Sequence, residues 1–407
     1  MNCRHCNAVL NEKFLDLGFA PPSNAYLVES DLNKSETYYP LRVMVCLQCW
    51  LVQTEDYASA EDLFTNDYAY FSSISDSWLN HSRNYVDLIC NKLDLSCSSF
   101  VVEVGSNDGY LLKNFVSKNI PCLGVEPTLS SACIAREQGI DVLGDFFSKS
   151  IADKILASHG NADLVLANNV YGHVPDINDF TEALKILIKP DGIITIEFPH
   201  LLELIKGFQF DTVYHEHFSY LSLTTVSVIF QKAKLKVWDV ERIPTHGGSL
   251  RIYGTHAENK IKQSIRVKEI LDEEFIFGLN KLSTYVRFQE NVNRIKNNLL
   301  RFLLEVKSKD MRVVGYGAAA KGNTLLNYAG VGTDLLPCIY DASRVKHGKL
   351  TPGAHIPILP LSEMIDDPAD YVLVLPWNLS EEIKTSVQKI CKGNPRFVRS
   401  IPDLAEF

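Results

Sequence analysis

Phe100-Val101-Val102-Glu103-Val104-Gly105-Ser106-Asn107-Asp108-Gly109-Tyr110-Leu111-Leu112 passes from a short apolar run, through a turn bounded by glycines, into a helix that should reach Phe115. A strand, a glycine turn and a helix in that order make the first half of a βαβ unit. The second half follows at once. Cys122-Leu123-Gly124-Val125-Glu126 reads as a strand ending on an acid. Leu164-Val165-Leu166-Ala167 and Gly192-Ile193-Ile194-Thr195-Ile196-Glu197 read as further strands. Short apolar strands alternating with helices predict an α/β fold with a doubly wound, mostly parallel sheet. Gly105 and Gly109 let backbone approach a ligand closely. Glu126 stands 23 residues after Glu103, where an acid accepts hydrogen bonds from both hydroxyls of a ribose. Glu103-x-Gly105-x-x-x-Gly109 lacks the Gly-x-Gly opening of a pyrophosphate cradle. An adenosine ligand without phosphate therefore fits it better than a dinucleotide. Asp145-Phe146-Phe147, after the next strand-like stretch, offers an acid and a ring to the adenine.

Upstream, four of the ten cysteines form Cys3-x-x-Cys6 and Cys46-x-x-Cys49. At this cysteine frequency about 0.2 such pairs are expected by chance in the whole chain. The spacing lets two knuckles converge on one tetrahedral Zn²⁺, and with all four positions filled by Cys the site is structural, with no open position for catalysis. The 39 residues between the pairs must leave and return as a small subdomain. Tyr68-Ala69-Tyr70-Phe71-Ser72-Ser73 then either packs this subdomain onto its neighbour or lids a ligand, with Tyr68 and Tyr70 toward the cofactor.

The composition fits these readings. The chain has 407 residues and a formal charge of −9. That balance disfavours a general nucleic-acid binder, which needs a basic footprint. No apolar run reaches the length of a membrane span, and no signal-like segment opens the sequence, so a cytoplasmic enzyme is expected.

A second α/β unit closes the sequence. Between about Asn259 and Lys309 a helical segment carries an apolar stripe (Tyr285, Phe288, Val292, Ile295, Leu299, Leu303). Arg312-Val313-Val314 reads as a strand and Gly315-Tyr316-Gly317-Ala318-Ala319-Ala320 as a turn matching the dinucleotide fingerprint, with Asp341 placed 24 residues after Gly317. Taken alone this turn indicates an NAD-dependent oxidoreductase. Lys321 and Asn323, at the mouth of the following helix, can instead bind a diphosphate, with Lys346 adding charge.

Tyr214-His215-Glu216-His217 puts four ionisable groups in a row among apolar neighbours. If extended, His215 and His217 share one face; if the segment turns, more of them converge. A metal site and a solvated surface are the rival readings. His173 follows Ala167-Asn168-Asn169, the loop after a sheet strand, where ligands bind in doubly wound folds. His246-Gly247-Gly248-Ser249-Leu250-Arg251 offers a hydroxyl, and a guanidinium that either binds a sugar hydroxyl or phosphate or forms a structural ion pair.

The combination resembles the S-adenosylmethionine (SAM)-dependent C-methyltransferases that act on nucleotide-linked 4-keto-deoxysugars. The shared segments are the cysteine pairs, Asn66 to Ser73, Glu103 to Gly109, Tyr214 to Tyr220, His246 to Arg251 and Gly315 to Asn323. The resemblance implies a zinc-binding N-terminal domain over 1–75 and a class I methyltransferase domain over 76–250. A helical connector over 251–309 and a Rossmann-like domain over 310–407 follow. It implies SAM at Glu103, Gly105, Asn107, Gly109, Glu126, Asp145, Phe146 and Asn168. It also implies a base at His217 with Tyr214, Glu216 and His173 as pocket neighbours. A dTDP- or GDP-linked sugar would contact His215, His246, Ser249, Arg251, Lys321, Asn323 and Lys346.

Overall fold

A computed structural model describes residues 1–64, 72–74 and 76–407. The central sheet starts at the first glycine turn. Its strands are β1 (Val101–Val104), β2 (Cys122–Val125), β3 (Val142–Leu143), β4 (Ala162–Asn168), β5 (Ile188–Pro199), β6 (Leu235–Ile243) and β7 (Ser249–His256). They lie in the order β6-β7-β5-β4-β1-β2-β3. The five strands from β5 to β3 pair in parallel, and the β6–β7 hairpin joins antiparallel through β7. β1 and β4 are buried along almost their whole length, as strands covered on both faces must be. β7 runs past the boundary expected at 250 and completes the sheet.

The N-terminal cap is an antiparallel sheet of Glu12–Ala20, Tyr39–Val45 and Val52–Thr54. Its fourth strand, Ser219–Tyr220, comes from the chain between β5 and β6 of the central sheet and pairs Val52 with Tyr220. The histidine-rich segment therefore runs straight into the cap. The expected single helical segment is three helices, Ile265–Phe277, Leu282–Val286 and Phe288–Ser308. Gly278 ends the first at φ +94, the left-handed conformation that closes helices at glycine. Phe288, Val292, Ile295, Leu299 and Leu303 are buried along one face of the third. Each such side chain contributes roughly 1.5–3 kcal/mol.

The C-terminal sheet contains β8 (Val313–Tyr316), β9 (Ile339–Asp341), β10 (Ile358–Pro360), β11 (Tyr371–Val374), β12 (Arg396–Arg399) and β13 (Ala405–Glu406), in the order β10-β9-β8-β11-β12-β13. One apolar core joins Phe14, Leu41 and Val43 of the cap to Leu299 of the long helix and to Leu325 and Leu373 of this domain. The cap and the C-terminal domain are thus packed as one support around the central sheet. No helix among the described residues is long and apolar enough to cross a membrane.

Candidate active site

After β1 the chain turns with Gly105 at φ +68 and Gly109 at φ +77. A Cβ on Gly105 would lie 2.4 Å from Val170 Cγ2, and one on Gly109 would lie 2.4 Å from Ile140 Cδ1. Both positions need glycine for conformation and for space. The Asn107 amide donates to Glu126 Oε2 (2.9 Å), and the Thr128 amide donates to Glu126 Oε1 (2.9 Å). Glu126 is thereby held across the turn. Asn107 Oδ1 accepts from the Ser72 amide (2.9 Å) and Asp108 Oδ2 from the Ser73 amide (3.2 Å). Both carboxylate oxygens of buried Glu103, together with Asp108 Oδ1 and Asn168 Oδ1, have no partner among the described residues. Burial, with Glu126 and Asp108 nearby, pushes the Glu103 carboxyl well up. Leaving such acceptors unmade costs about 1–3 kcal/mol each. A ligand rich in donors (amino group, ribose hydroxyls, exocyclic amine) fits them, and SAM carries that set. Asp145 is exposed and faces Lys154 at 4.0 Å. Phe146 meets Phe64 edge-on at 6.5 Å, and Phe64 meets His173 at 5.7 Å. Rings thus lead from Phe146, beyond β3, through Phe64 to the histidines. Tyr68 and Tyr70 lie outside the described residues.

Tyr214-His215-Glu216-His217 turns, and the extended alternative does not hold. The His217 amide donates to the Tyr214 carbonyl (2.9 Å). His215 and His217 therefore part. His215 is buried edge-on to Tyr39 of the cap at 5.8 Å. The His217 ring lies 3.9 Å from Tyr214 and 4.6 Å from His173. His217 Nδ1 is 2.7 Å from the Thr212 carbonyl oxygen, and His173 Nδ1 is 2.8 Å from that of Glu216. A carbonyl only accepts, so in both rings Nδ1 carries the proton and Nε2 the lone pair. Burial, with His173 beside it, holds the His217 pKa well below the usual histidine range. Burial brings His173 to about 4. Glu216 is pushed up to about 8 by burial, against the Asn24 amide, which donates to its Oε2 at 2.8 Å. Near neutral pH both imidazoles are thus neutral, and so is the Glu216 carboxyl, which points to Asn24 of the cap.

Every domain grips this segment. Asn24 of the cap holds Glu216. Thr324 Oγ1 donates to the Val213 carbonyl (3.0 Å), and Trp377 Nε1 donates to Asp211 Oδ2 (2.7 Å), both from the C-terminal domain. Asn24, Asp211 and Trp377 carried no local signal in the sequence beyond an acid set between Phe210 and Val213. Among the described residues the only metal-like cluster is that of the four cysteines, so the histidines do not form one.

The four sulfurs lie within 4.8 Å of one another, with Cys3–Cys49 and Cys6–Cys46 at 3.5 Å. Sulfurs bound at tetrahedral Zn²⁺ stand about 3.8 Å apart, given Zn–S bonds of about 2.3 Å. The Cys49 thiol beside Cys3 lowers the Cys3 pKa to about 5, giving the thiolate that a metal needs. Cys3, Cys6, Cys46 and Cys49 therefore fit a structural zinc, which all four would ligate.

The second glycine turn is covered by the protein's own groups. A Cβ on Gly317 would meet Pro376 Cγ at 2.4 Å. Asp341 Oδ2 accepts from the Ala318 amide (2.7 Å) and Oδ1 from the Ser343 amide (2.7 Å). The Tyr26 hydroxyl (2.5 Å) and Lys346 Nζ (2.8 Å) both donate to the Ala318 carbonyl. A dinucleotide would have to displace them. Buried Asn323 donates to the Ser23 carbonyl at 2.7 Å, joining the cap to the C-terminal domain. Lys321 Nζ donates to Asn378 Oδ1 (2.7 Å), and its charge reaches His217 and His246. His246 sits at φ +54 against Trp78, with ring centroids 5.3 Å apart. Ser249 donates to the Thr245 carbonyl (2.9 Å). Arg251 pairs with Glu197 (3.0 Å) and Glu241 (3.4 Å), and His81 also lies against Glu197 (3.0 Å). This is the ion-pair arrangement of the two open to it.

Comparison with known proteins matches these parts. A zinc binding domain model covers residues 3–64, a methyltransferase domain model covers 89–240 and a C-methyltransferase C-terminal domain model covers 244–402. C-methyltransferase NovU of Streptomyces niveus is 33% identical over 404 residues, spanning 98% of this chain and 95% of NovU. Among solved structures, the 1,6-didemethyltoxoflavin-N1-methyltransferase of Burkholderia thailandensis covers 51% of this chain and 96% of its own (15% identity, TM-score 0.38). The magnesium protoporphyrin IX methyltransferase of Synechocystis PCC 6803 covers 44% and 82% (13% identity, TM-score 0.33). With a zinc cap, a class I SAM-binding sheet and the C-methyltransferase C-terminal domain in one chain, the protein belongs to the SAM-dependent C-methyltransferases.

Proposed function

We propose that the protein methylates carbon on a nucleotide-diphospho-4-keto-6-deoxysugar, at C3 beside the ketone, in branched deoxysugar biosynthesis. Methylation at carbon needs a carbon nucleophile, and a C–H next to a ketone becomes one when a base removes its proton. The observation that carries the reading is the neutral Nε2 of His217, directed by the Nδ1 contact to Thr212 and enclosed by His173 and Tyr214. In this reading Nε2 takes the C3 proton, and the C–H electron pair moves through the C3–C4 bond to the ketone oxygen. Neutral Glu216 and the Tyr214 hydroxyl are the candidate donors to that enolate oxygen, a role normally worth several kcal/mol. His173 closes the wall beside them. Glu103, Asn107, Glu126 and Asn168 would hold SAM, which would supply an electrophilic methyl to the enolate carbon and leave as S-adenosylhomocysteine. Lys321 faces the same pocket and would meet the substrate's negative charge. A cleft of about 430 Å³ at the carboxyl ends of β9 and β10, lined by Asp341, Arg344, His347 and Ser362 among others, offers room for the nucleotide.

The test is mass spectrometry of incubations with SAM and a panel of dTDP- and GDP-4-keto-6-deoxysugars. Gain of one methyl with release of S-adenosylhomocysteine is expected for one member, and fragmentation should place it at C3. His217→Ala should lower turnover by about 10²–10⁴-fold with SAM binding intact. Methylation of none of the panel by SAM-binding protein would overturn the substrate, and near-normal turnover of His217→Ala would remove His217 from the base role.

A further inference from the structure

Asp211 is fully buried, and its Oδ1 has no partner among the described residues. It sits in the one-turn helix Phe210–Thr212, between core residues Phe210 and Val213. A carboxylate there is costly, and packing alone would place an apolar side chain. Its one long-range side-chain hydrogen bond comes from the Trp377 indole, 2.7 Å away and 166 positions along the chain. Trp377 follows β11, at the carboxyl edge of the C-terminal sheet. Its ring fills the space over Gly247, where a Cβ would lie 2.4 Å from Cη2, and carries Lys321 Nζ 4.9 Å from a ring centroid. One residue beyond Asp211, the Thr212 carbonyl receives His217 Nδ1.

We propose that Asp211 and Trp377 are positioning residues through which the C-terminal domain sets the tautomer of His217. The indole N–H holds the Asp211 carboxylate and with it the Phe210–Thr212 turn. That turn aims the Thr212 carbonyl at Nδ1, so Nε2 is left to accept a proton. This rests on the reading of His217 as the base. A displacement of about 1 Å in such a support costs on the order of 10²-fold in rate. Groups facing His217 from the surrounding elements are His173, Tyr214, Tyr220, His246 and Lys321. None of them bonds its Nδ1.

The test uses full-length, zinc-loaded protein labelled with ¹⁵N-histidine and saturated with S-adenosylhomocysteine. His217→Ala assigns the signal. Wild type should show one protonated and one unprotonated ring nitrogen at His217. Trp377→Phe puts a smaller ring without the donor in place of the indole; Asp211→Ala loses the acceptor and leaves the indole in place. Both should lose the single-tautomer signature. On the sugar that wild type methylates, both should show kcat lowered about tenfold or more while SAM affinity stays within about twofold. Asp211→Asn keeps an acceptor for the indole and should retain both tautomer and rate. The proposal is overturned if Trp377→Phe and Asp211→Ala keep tautomer and kcat, if SAM affinity falls in step with kcat, or if Asp211→Asn is as impaired as Asp211→Ala. Should His217→Ala remain active, the base reading fails while the tautomer measurement still decides the support role.

Discussion

In the first glycine turn the amide of Asn107 donates to Glu126; in the second the amide of Ala318 donates to Asp341. Each acid stands at the carboxyl end of the strand next to its turn, and each turn carries a glycine at positive φ. The local plan is shared, and the surroundings differ. Around the first turn, oxygens of Glu103, Asp108 and Asn168 lie buried without partners. Over the second lie Tyr26, Lys346 and Pro376. A fingerprint read along the chain reports how the backbone turns. Whether a cofactor sits there depends on residues far away in sequence.

That contrast can be broken most sharply at the glycines. Gly105→Ala forces a side chain onto positive φ and into Val170, and should weaken SAM binding by about 10²-fold or more in calorimetry. Gly317→Ala should leave SAM affinity alone and lower stability by about 1–3 kcal/mol in urea unfolding. Heat of NAD binding to the wild type would contradict the comparison outright. The next effect is read by pH. Burial pushes Glu216 up to about 8, so above that pH it loses the proton it would donate in the proposed reaction. kcat/KM should fall about tenfold per pH unit beyond that point, and Glu216→Gln should flatten this limb while Lys346→Met leaves its position unchanged. On the acid side, His217 stays neutral below the ordinary histidine range, so activity should persist there. Glu126→Ala should cost SAM affinity about tenfold, whereas Asp341→Ala should cost about 1–3 kcal/mol of stability without touching SAM. The smallest change is Tyr26→Phe, which removes one hydrogen bond to the Ala318 carbonyl. It should cost about 1 kcal/mol, read as a small drop in Tm with SAM affinity unaltered.

Much of this was legible in the sequence, because the signals were local. The cysteine pairs, the strand–turn–helix from Phe100 to Phe115 and the stripe from Phe288 to Leu303 each obey a short-range rule, and all are in place. The failures were also local in origin. The helical periodicity ran on across Gly278, whose freedom to take positive φ ends the helix. Of the two conformations open to Tyr214–His217, alternation could not choose; the bond from the His217 amide to the Tyr214 carbonyl selects the turn and parts His215 from His217. Asn24, Asp211 and Trp377 were invisible for a different reason. Each acts only through a partner more than a hundred residues away, and periodicity carries no information on such pairs.

The grip of all three domains on residues 211–217 constrains how such an enzyme can be recombined. A chimera that exchanged the C-terminal half for that of a relative would also exchange the indole and the threonine that hold the histidine loop. The graft would need to bring the matching acid at 211 with it. On the proposed reading, substrate preference and proton removal would be inherited together, and swapping the first without the second should yield proteins that fold and bind SAM but turn over slowly.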